Sequence, residues 1–339
     1  MRMGGLVSPD SPMIRRFPLI LAALLPWAVW AEAPRPYFQD QKAPETRRDL
    51  EAIQKALVAA LPKARGATVG IEMEDGSGSG VIVSPEGLVL TAAHVAGGVN
   101  REMTVILEDG KRLKAESLGL VASTDCAMIR ILEKGRYPHA ELDRSEETRL
   151  GDWVFSLGHS GGFDKERGAV VRLGRLVRIA ESTYQSDGTL IGGDSGGPLF
   201  DLNGRVIGIH SRVGEVLAQN MHVPVREFLA HWNEMERGDF VGEGPFAKKP
   251  EKGKGFLGLA TEARPEGGLK VTKVGRESPA EKAGLVEGDV LLKLNGKDLK
   301  QRDDLQDQLK EMAAGDRVVL ELLRRGKAET LTLRLGEKS

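Results

Sequence analysis

The chain has 339 residues and a net charge of -1, with 40% hydrophobic and 29% charged residues, which fits a soluble globular chain of about two domains and excludes a mainly disordered protein. The near-zero charge leaves no electrostatic footprint for nucleic acid. A single cysteine, Cys126, excludes an intramolecular disulfide framework and a multi-cysteine zinc site.

Arg15 and Arg16 precede an uncharged, mostly apolar run over 17–30, and Val29-Trp30-Ala31 puts small residues where a signal peptidase reads. Residues 1–31 therefore read as a cleaved signal peptide, with a periplasmic or secreted product. The alternative is an uncleaved membrane anchor, for which the run falls short of about 20 apolar residues. Residues 32–66 read as a tail and a helix. Leu50, Ile53, Leu57, Ala60 and Leu61 recur at helical spacing from Arg47, and Pro62 is expected to stop the helix. Over 67–235, short apolar runs alternate with Gly, Asp and Ser turns, as around 69–72, 88–91, 127–131, 153–157 and 206–210. That spacing argues for an all-β sandwich or barrel, closed by a short helix over 225–232. Residues 236–254, charged and Gly-rich with Pro245 and Pro250, read as a linker. Strands return over 255–339, with an amphipathic helix over 303–312 that turns Leu305, Leu309 and Met312 inward.

Three segments carry chemistry. Thr91-Ala92-Ala93-His94-Val95 puts a histidine directly after an apolar strand. Ser123-Thr124-Asp125-Cys126-Ala127 puts an aspartate before another. Gly192-Gly193-Asp194-Ser195-Gly196-Gly197-Pro198-Leu199 puts a serine in a glycine-rich turn. Each alone is an ordinary feature: a packed histidine, a strand cap, a turn residue. Together, in the order His, Asp, Ser, they match one of the convergent triad orders. A serine hydroxyl is a poor nucleophile until an imidazole takes its proton, and a buried carboxylate fixes the imidazole tautomer. Gly193 and Ser195 can present two backbone N–H groups to a developing oxyanion.

These segments, with Gly78-Ser79-Gly80-Val81-Ile82-Val83 and Gly151-Asp152-Trp153-Val154, resemble a chymotrypsin-fold serine peptidase of the HtrA/Deg group over 67–225. The resemblance implies a mainly β fold, a double six-stranded β-barrel with the site in the cleft between barrels. It implies His94 as general base, Asp125 as its orienter, Ser195 as nucleophile, and Gly193 and Ser195 as oxyanion donors. Ser211 resembles the position that supports the aspartate and lines the substrate strand, with His210 beside it. In trypsin-like enzymes an acid six residues before the nucleophile selects basic side chains. That position is Thr189, so with Leu190 and Ile191 nearby an uncharged, small-to-medium P1 residue is expected, Asp187 being the alternative pocket acid. The run before the nucleophile departs from the group, which usually has Asn there. Asp194 matches the digestive-type Gly-Asp-Ser-Gly-Gly, whose aspartate pairs with a freshly cut N-terminus. No Ile-Val-Gly-Gly-like start is present, so the sequence leaves the partner of Asp194 open.

Residues 255–339 resemble a PDZ domain. Phe256-Leu257-Gly258-Leu259 matches its carboxylate-binding loop, Ser278 to Leu285 its short helix, and Asn295-Gly296 a hairpin turn. The implied binding mode is strand addition by a protein C-terminus, and a mild basic excess suits acidic termini. No cofactor or metal is expected. His139, His159, His222 and His231 lack ligand spacing. Gly76-Ser77-Gly78-Ser79-Gly80 lacks the Lys-Ser/Thr of a phosphate loop and reads as a flexible lead-in to a strand. Cys126 reads as a packed core thiol.

The resemblance thus implies an exported, ATP-independent serine endopeptidase that attacks unfolded or extended polypeptides. A PDZ domain regulates it, commonly in a trimer, with a role in protein quality control. Two alternatives stand beside it: a catalytically silent chaperone or scaffold, and a narrow regulatory protease.

Overall fold

The computed structural model describes residues 35–337 apart from 74, 75, 146, 215, 217 and 250, so the signal-peptide reading lies outside the described residues. Helix α1 (Arg47–Ala67) begins at a capping box, in which the Thr46 hydroxyl accepts from the Asp49 N–H and the Asp49 carboxylate accepts from the Thr46 N–H. The helix does not stop at Pro62, as expected, but continues one and a half turns beyond it. Proline forfeits one helical hydrogen bond. Burial of Ala64 and Ala67 and a 2.6 Å ion pair from Lys63 to Glu141 hold the last turn in place. Ile53 is buried in the core, and Leu57, Ala60 and Leu61 pack against it. Leu50 instead lies at 57% exposure.

The first barrel comprises β1 (Thr68–Met73), β2 (Gly76–Ile82), β3 (Leu88–Ala92), β4 (Glu102–Ile106), β5 (Arg112–Val121) and β6 (Cys126–Ile131). Pairing runs β5-β4-β1-β2-β3-β6, and a β5–β6 pairing closes it. Val69, Ile71, Ile82, Val89, Val105, Leu113 and Ile129 fill its interior. The Gly-Ser repeat expected as a flexible lead-in is itself the start of β2, in register with β1 from Met73↔Gly76 to Thr68↔Val81. Fixing these glycines costs backbone entropy, which the ladder of β1 offsets.

The second barrel comprises β7 (Trp153–Gly158), β8 (Val170–Ile179), β9 (Tyr184–Ser186), β10 (Pro198–Asp201), β11 (Val206–Val213) and β12 (Asn220–Pro224). It closes in the order β10-β11-β12-β9-β8-β7. Phe155 and Phe200 stack at 4.9 Å in a core shared with α1 and the first barrel. Short helix α2 (Ala93–Ala96) follows β3. The closing helix is divided at His231 into α3 (Val225–Ala230) and α4 (Trp232–Arg237).

The stretch read as a linker is packed rather than free. Its β13 (Phe240–Val241) adds in parallel to β5, and Phe246 and Ala247 cover Ala93, Ala96 and Ala122. The C-terminal region follows with β14 (Gly255–Phe256), β15 (Leu259–Ala263), β16 (Leu269–Val274), α5 (Pro279–Lys282), β17 (Val290–Leu294), β18 (Lys297–Asp298), α6 (Arg302–Lys310), β19 (Arg317–Arg324), β20 (Lys327–Arg334) and β21 (Gly336–Glu337). Its main sheet runs β15-β16-β17-β19-β20, so β15 is an edge strand. Leu305 is buried on α6, and Leu309 and Met312 pack on the same core. No described helix is long and apolar enough to cross a membrane.

Candidate active site

His94 sits on α2, and Asp125 sits in the tight turn between β5 and β6 with φ +63°, a left-handed conformation that aspartate tolerates better than most residues. That turn brings the buried Asp125 carboxylate beneath the imidazole. Both of its oxygens lie 3.0 Å from His94 Nδ1, and Oδ1 also accepts from the His94 backbone N–H at 3.1 Å. This arrangement fixes Nδ1 as the protonated nitrogen and leaves Nε2 free to accept. Ser211 Oγ donates to Asp125 Oδ2 at 2.5 Å. Ser195 Oγ in turn donates to the Ser211 carbonyl oxygen at 3.3 Å, which is where the serine hydroxyl points in this structure. One run of contacts therefore links His94, Asp125, Ser211 and Ser195.

The turn before Ser195 is held from several sides. Asp194 N–H donates to the Ile191 carbonyl at 3.1 Å, and Gly193 between them has φ +92°. A Cβ there would collide with the backbone of His159 and Gly161. The Gly192 carbonyl accepts from Gly161 N–H at 2.6 Å, so the Gly193 N–H, on the opposite edge of the same trans peptide, points away from that loop. Among the described residues, the N–H groups of Gly193 and Ser195 have no protein acceptor.

Two residues that sequence reasoning missed complete this frame. Ser79 of β2 crosses between the barrels. Its N–H donates to Ser195 O and its hydroxyl to Gly193 O, both at 2.8 Å, and it accepts from the His159 N–H. Arg172 of β8 lies 3.0 Å from the buried Asp194 carboxylate, which answers the question the sequence left open. Only the Gly-Ser repeat carried any signal for the first, and nothing in the local sequence marks the second.

Other expected site residues fall differently. Thr189 and Ile191 are exposed and Leu190 is buried. One oxygen of the exposed Asp187 carboxylate accepts from the Arg175 N–H at 2.7 Å. The His210 ring does not line the cleft, contrary to expectation. It is fully buried behind Gly197, with its Nδ1 2.9 Å from that of His222, whose Nε2 meets Ser186 Oγ at 2.8 Å. Burial and the Arg172 charge push the His210 ring down to about 3. Burial and His210 push His222 well below its ordinary value. Burial, with Arg167 adding, pushes His159 down to about 4. The Cys126 thiol is buried and its pKa pushed far up by that burial. Among the described residues, no cluster of His, Cys, Asp and Glu could hold a metal ion.

In the C-terminal region, Phe256, Leu257, Gly258 and Leu259 border a groove of about 420 Å³ between β15 and α6, whose other walls include Leu305, Leu309 and Arg302. Leu257 is buried and Phe256 lies at 41% exposure. Gly258 has φ +79°, and the N–H groups of Leu257 and Gly258 have no protein acceptor among the described residues.

Comparison with known proteins decides the family. The profile of the trypsin-like peptidase domain matches residues 78–209, and that of the PDZ domain residues 255–335. This chain is of the HtrA/Deg type, a trypsin-like peptidase domain joined to one PDZ domain. A Pseudomonas putida relative named "Probable periplasmic serine endoprotease DegP-like" is 32% identical over 269 residues, 76% of this chain and 55% of the relative. A Halomonas elongata relative of the same name is 28% identical over 292 residues, 82% of this chain and 60% of the relative. The HtrA-type chain thus spans little more than half the length of the curated relatives it matches. Among solved structures, the HtrA-type protease AlgW with tripeptide is 26% identical at a TM-score of 0.48, covering 84% of this chain and 97% of that one. The serine endoprotease from Yersinia pestis is 24% identical at a TM-score of 0.47, covering 88% and 100%.

Proposed function

We propose that this chain is an exported serine endopeptidase that cuts extended polypeptide, with its PDZ domain holding protein C-termini. The observation that carries the reading is the run of contacts from His94 through Asp125 and Ser211 to Ser195, beside two N–H groups with no protein acceptor. β11 runs past the end of β10, whose pairing stops at Pro198↔Ile209, so residues 211–213 keep one open edge. An extended substrate adds to that edge as a strand. The Ser195 hydroxyl turns from the Ser211 carbonyl to His94. Nε2 takes the proton as Oγ bonds to the scissile carbonyl carbon, while Asp125 stabilises the imidazolium. The carbonyl oxygen becomes an oxyanion and accepts from the Gly193 and Ser195 N–H groups. Collapse breaks the C–N bond, and the imidazolium gives its proton to the leaving amine. Water, deprotonated by His94, then cleaves the acyl ester and restores Ser195. With Thr189 six residues before Ser195 and Leu190 and Ile191 nearby, the P1 residue is uncharged and small to medium; a peptide library cut only after Arg or Lys would overturn that assignment.

At the PDZ groove, the free Leu257 and Gly258 N–H groups receive a terminal carboxylate, β15 pairs with the peptide, and Leu305 and Leu309 receive its last side chain. The full reading adds periplasmic location, ATP-independent turnover of unfolded chains in quality control, and a homotrimer, which light scattering of the purified chain tests. A second reading, a catalytically silent binding protein, draws on one observation: the Ser195 hydroxyl rests on Ser211 rather than on His94. Degradation of unfolded casein, with fluorophosphonate labelling, separates the two. Cleavage and labelling that vanish in Ser195→Ala are expected. Neither signal in the wild type, with or without a C-terminal peptide at the PDZ groove, would move the assignment to the silent reading.

A further inference from the structure

We infer that Arg172 is the positioning cation of the oxyanion loop, a latch carried on β8 that holds Asp194 inward and so aims the Gly193 N–H at the substrate carbonyl. The inference rests on the peptidase reading above and adds to it what assembles the site. Asp194 is fully buried directly before Ser195. Its Oδ1 accepts from Ser160 Oγ at 2.6 Å, and its Oδ2 from the Ile191 N–H at 2.9 Å and from Arg172 at 3.0 Å. The same Arg172 nitrogen donates to Ser160 Oγ at 2.9 Å. The carboxylate thus ties together both ends of the turn that carries Gly193.

A buried carboxylate stays ionised only where a cation or several hydrogen bonds compensate it. Among the described residues, Arg172 is the one cation within 4 Å of Asp194. The nearby His159 and His210 rings are buried and neutral at pH 7. Arg172 belongs to a strand in register with β7 at Ser156, so the latch is completed from within the second barrel, not by a chain terminus. Without it, Asp194 has reason to turn outward, and the Ile191 to Asp194 turn loses the bond that fixes it. Gly193 N–H is then misaimed while the open edge of 211–213 still binds substrate.

That separation gives the test. In the full chain, Arg172→Met should lower kcat by about 10²–10³-fold, the usual effect of losing one oxyanion donor, with KM little changed. Fluorophosphonate labelling should slow in parallel. Among the described residues, one Arg172 nitrogen makes both the Asp194 and the Ser160 contacts, so Arg172→Lys should stay within about tenfold of wild type. Methylguanidinium should restore part of the activity of Arg172→Ala. Hydrogen exchange over 188–197 should speed up in Arg172→Met and stay unchanged elsewhere. Wild-type kcat in Arg172→Met would overturn the inference, as would a loss that neither Lys nor methylguanidinium relieves and that comes with faster exchange throughout. If the wild type itself shows no Ser195-dependent turnover, the peptidase reading fails instead. The exchange measurement still decides the latch, and unchanged exchange over 188–197 overturns it.

Discussion

Asp125, Asp194 and Ser211 in the cleft are each at most 3% exposed and bonded through their side chains, whereas the PDZ groove is floored by leucines and offers backbone N–H groups and the open edge of β15. On the proposed function the two surfaces solve different problems. A proton transfer and an oxyanion need atoms fixed to a fraction of an ångström, and buried charged hydrogen bonds supply that rigidity. Capturing a chain end needs only an edge, a pocket and a carboxylate cradle, and a backbone loop supplies those without buried charge. Each site is vulnerable in its own way: the cleft to loss of a single charge, the groove to a change of backbone shape.

The largest effect is expected from Asp125→Asn. It keeps the shape of the cleft and removes the charge that sets the His94 tautomer, so kcat should fall by about 10⁴-fold. Affinity of the PDZ groove for a C-terminal peptide should not change. Turnover assays and peptide titrations on the same preparation check both halves. A milder effect is expected from Gly258→Ala. The φ of +79° is strained for alanine, and the new Cβ would collide with that of Ser278. Peptide affinity should drop roughly 10–100-fold, with labelling of Ser195 unaffected. An equal loss in both sites would erase the distinction.

The smallest effect concerns pH. The folded chain holds His210 and His222 neutral in a shared pair, and His159 neutral beside Asp194. Their pKa values are lowered on folding, so below the unfolded value of about 6.5 the unfolded chain binds more protons and stability falls as pH falls. Each group costs up to about 1.4 kcal/mol per pH unit on the way down to its folded value. Tm should therefore drop by a few degrees per unit between pH 6 and pH 4. His222→Gln should flatten that slope, and a flat wild-type profile would argue against a neutral buried pair.

The sequence made the parts that depend on local chemistry legible. His94, Asp125 and Ser195 each stand in a short motif whose glycines and flanking strand report a backbone need, and their order restricts the reading further. The short strands announced a β fold. Arg172 was not legible because β8 carries arginines at 172, 175 and 178, and only the pairing with β7 and the bulge near Arg178 decide which one reaches Asp194. Ser79 was hidden for a similar reason: a Gly-Ser repeat reads as flexible until β1 pairs with it. Pro62 and the linker misled in one direction. Both carry strong local signals against order, and both are overridden by burial, of Ala64 and Ala67 in one case and of Phe246 in the other.

That packed linker also sets a leash. Asp239 and Val241 bond β5 and Ala122, Phe246 N–H reaches Ala122, and the Phe246 ring lies under the Arg212 guanidinium at 5.0 Å, on the rim of the open edge. At the other end, Gly253 N–H bonds Met312 and Lys252 pairs with Glu311. Only residues 247–251 lie between Phe246 and Lys252, and five residues reach no further than about 18 Å. On the proposed function, a polypeptide gripped by its tail at the PDZ groove would be held at high local concentration near the cleft by this short tether, whose Phe246 packs under Arg212 beside the open edge.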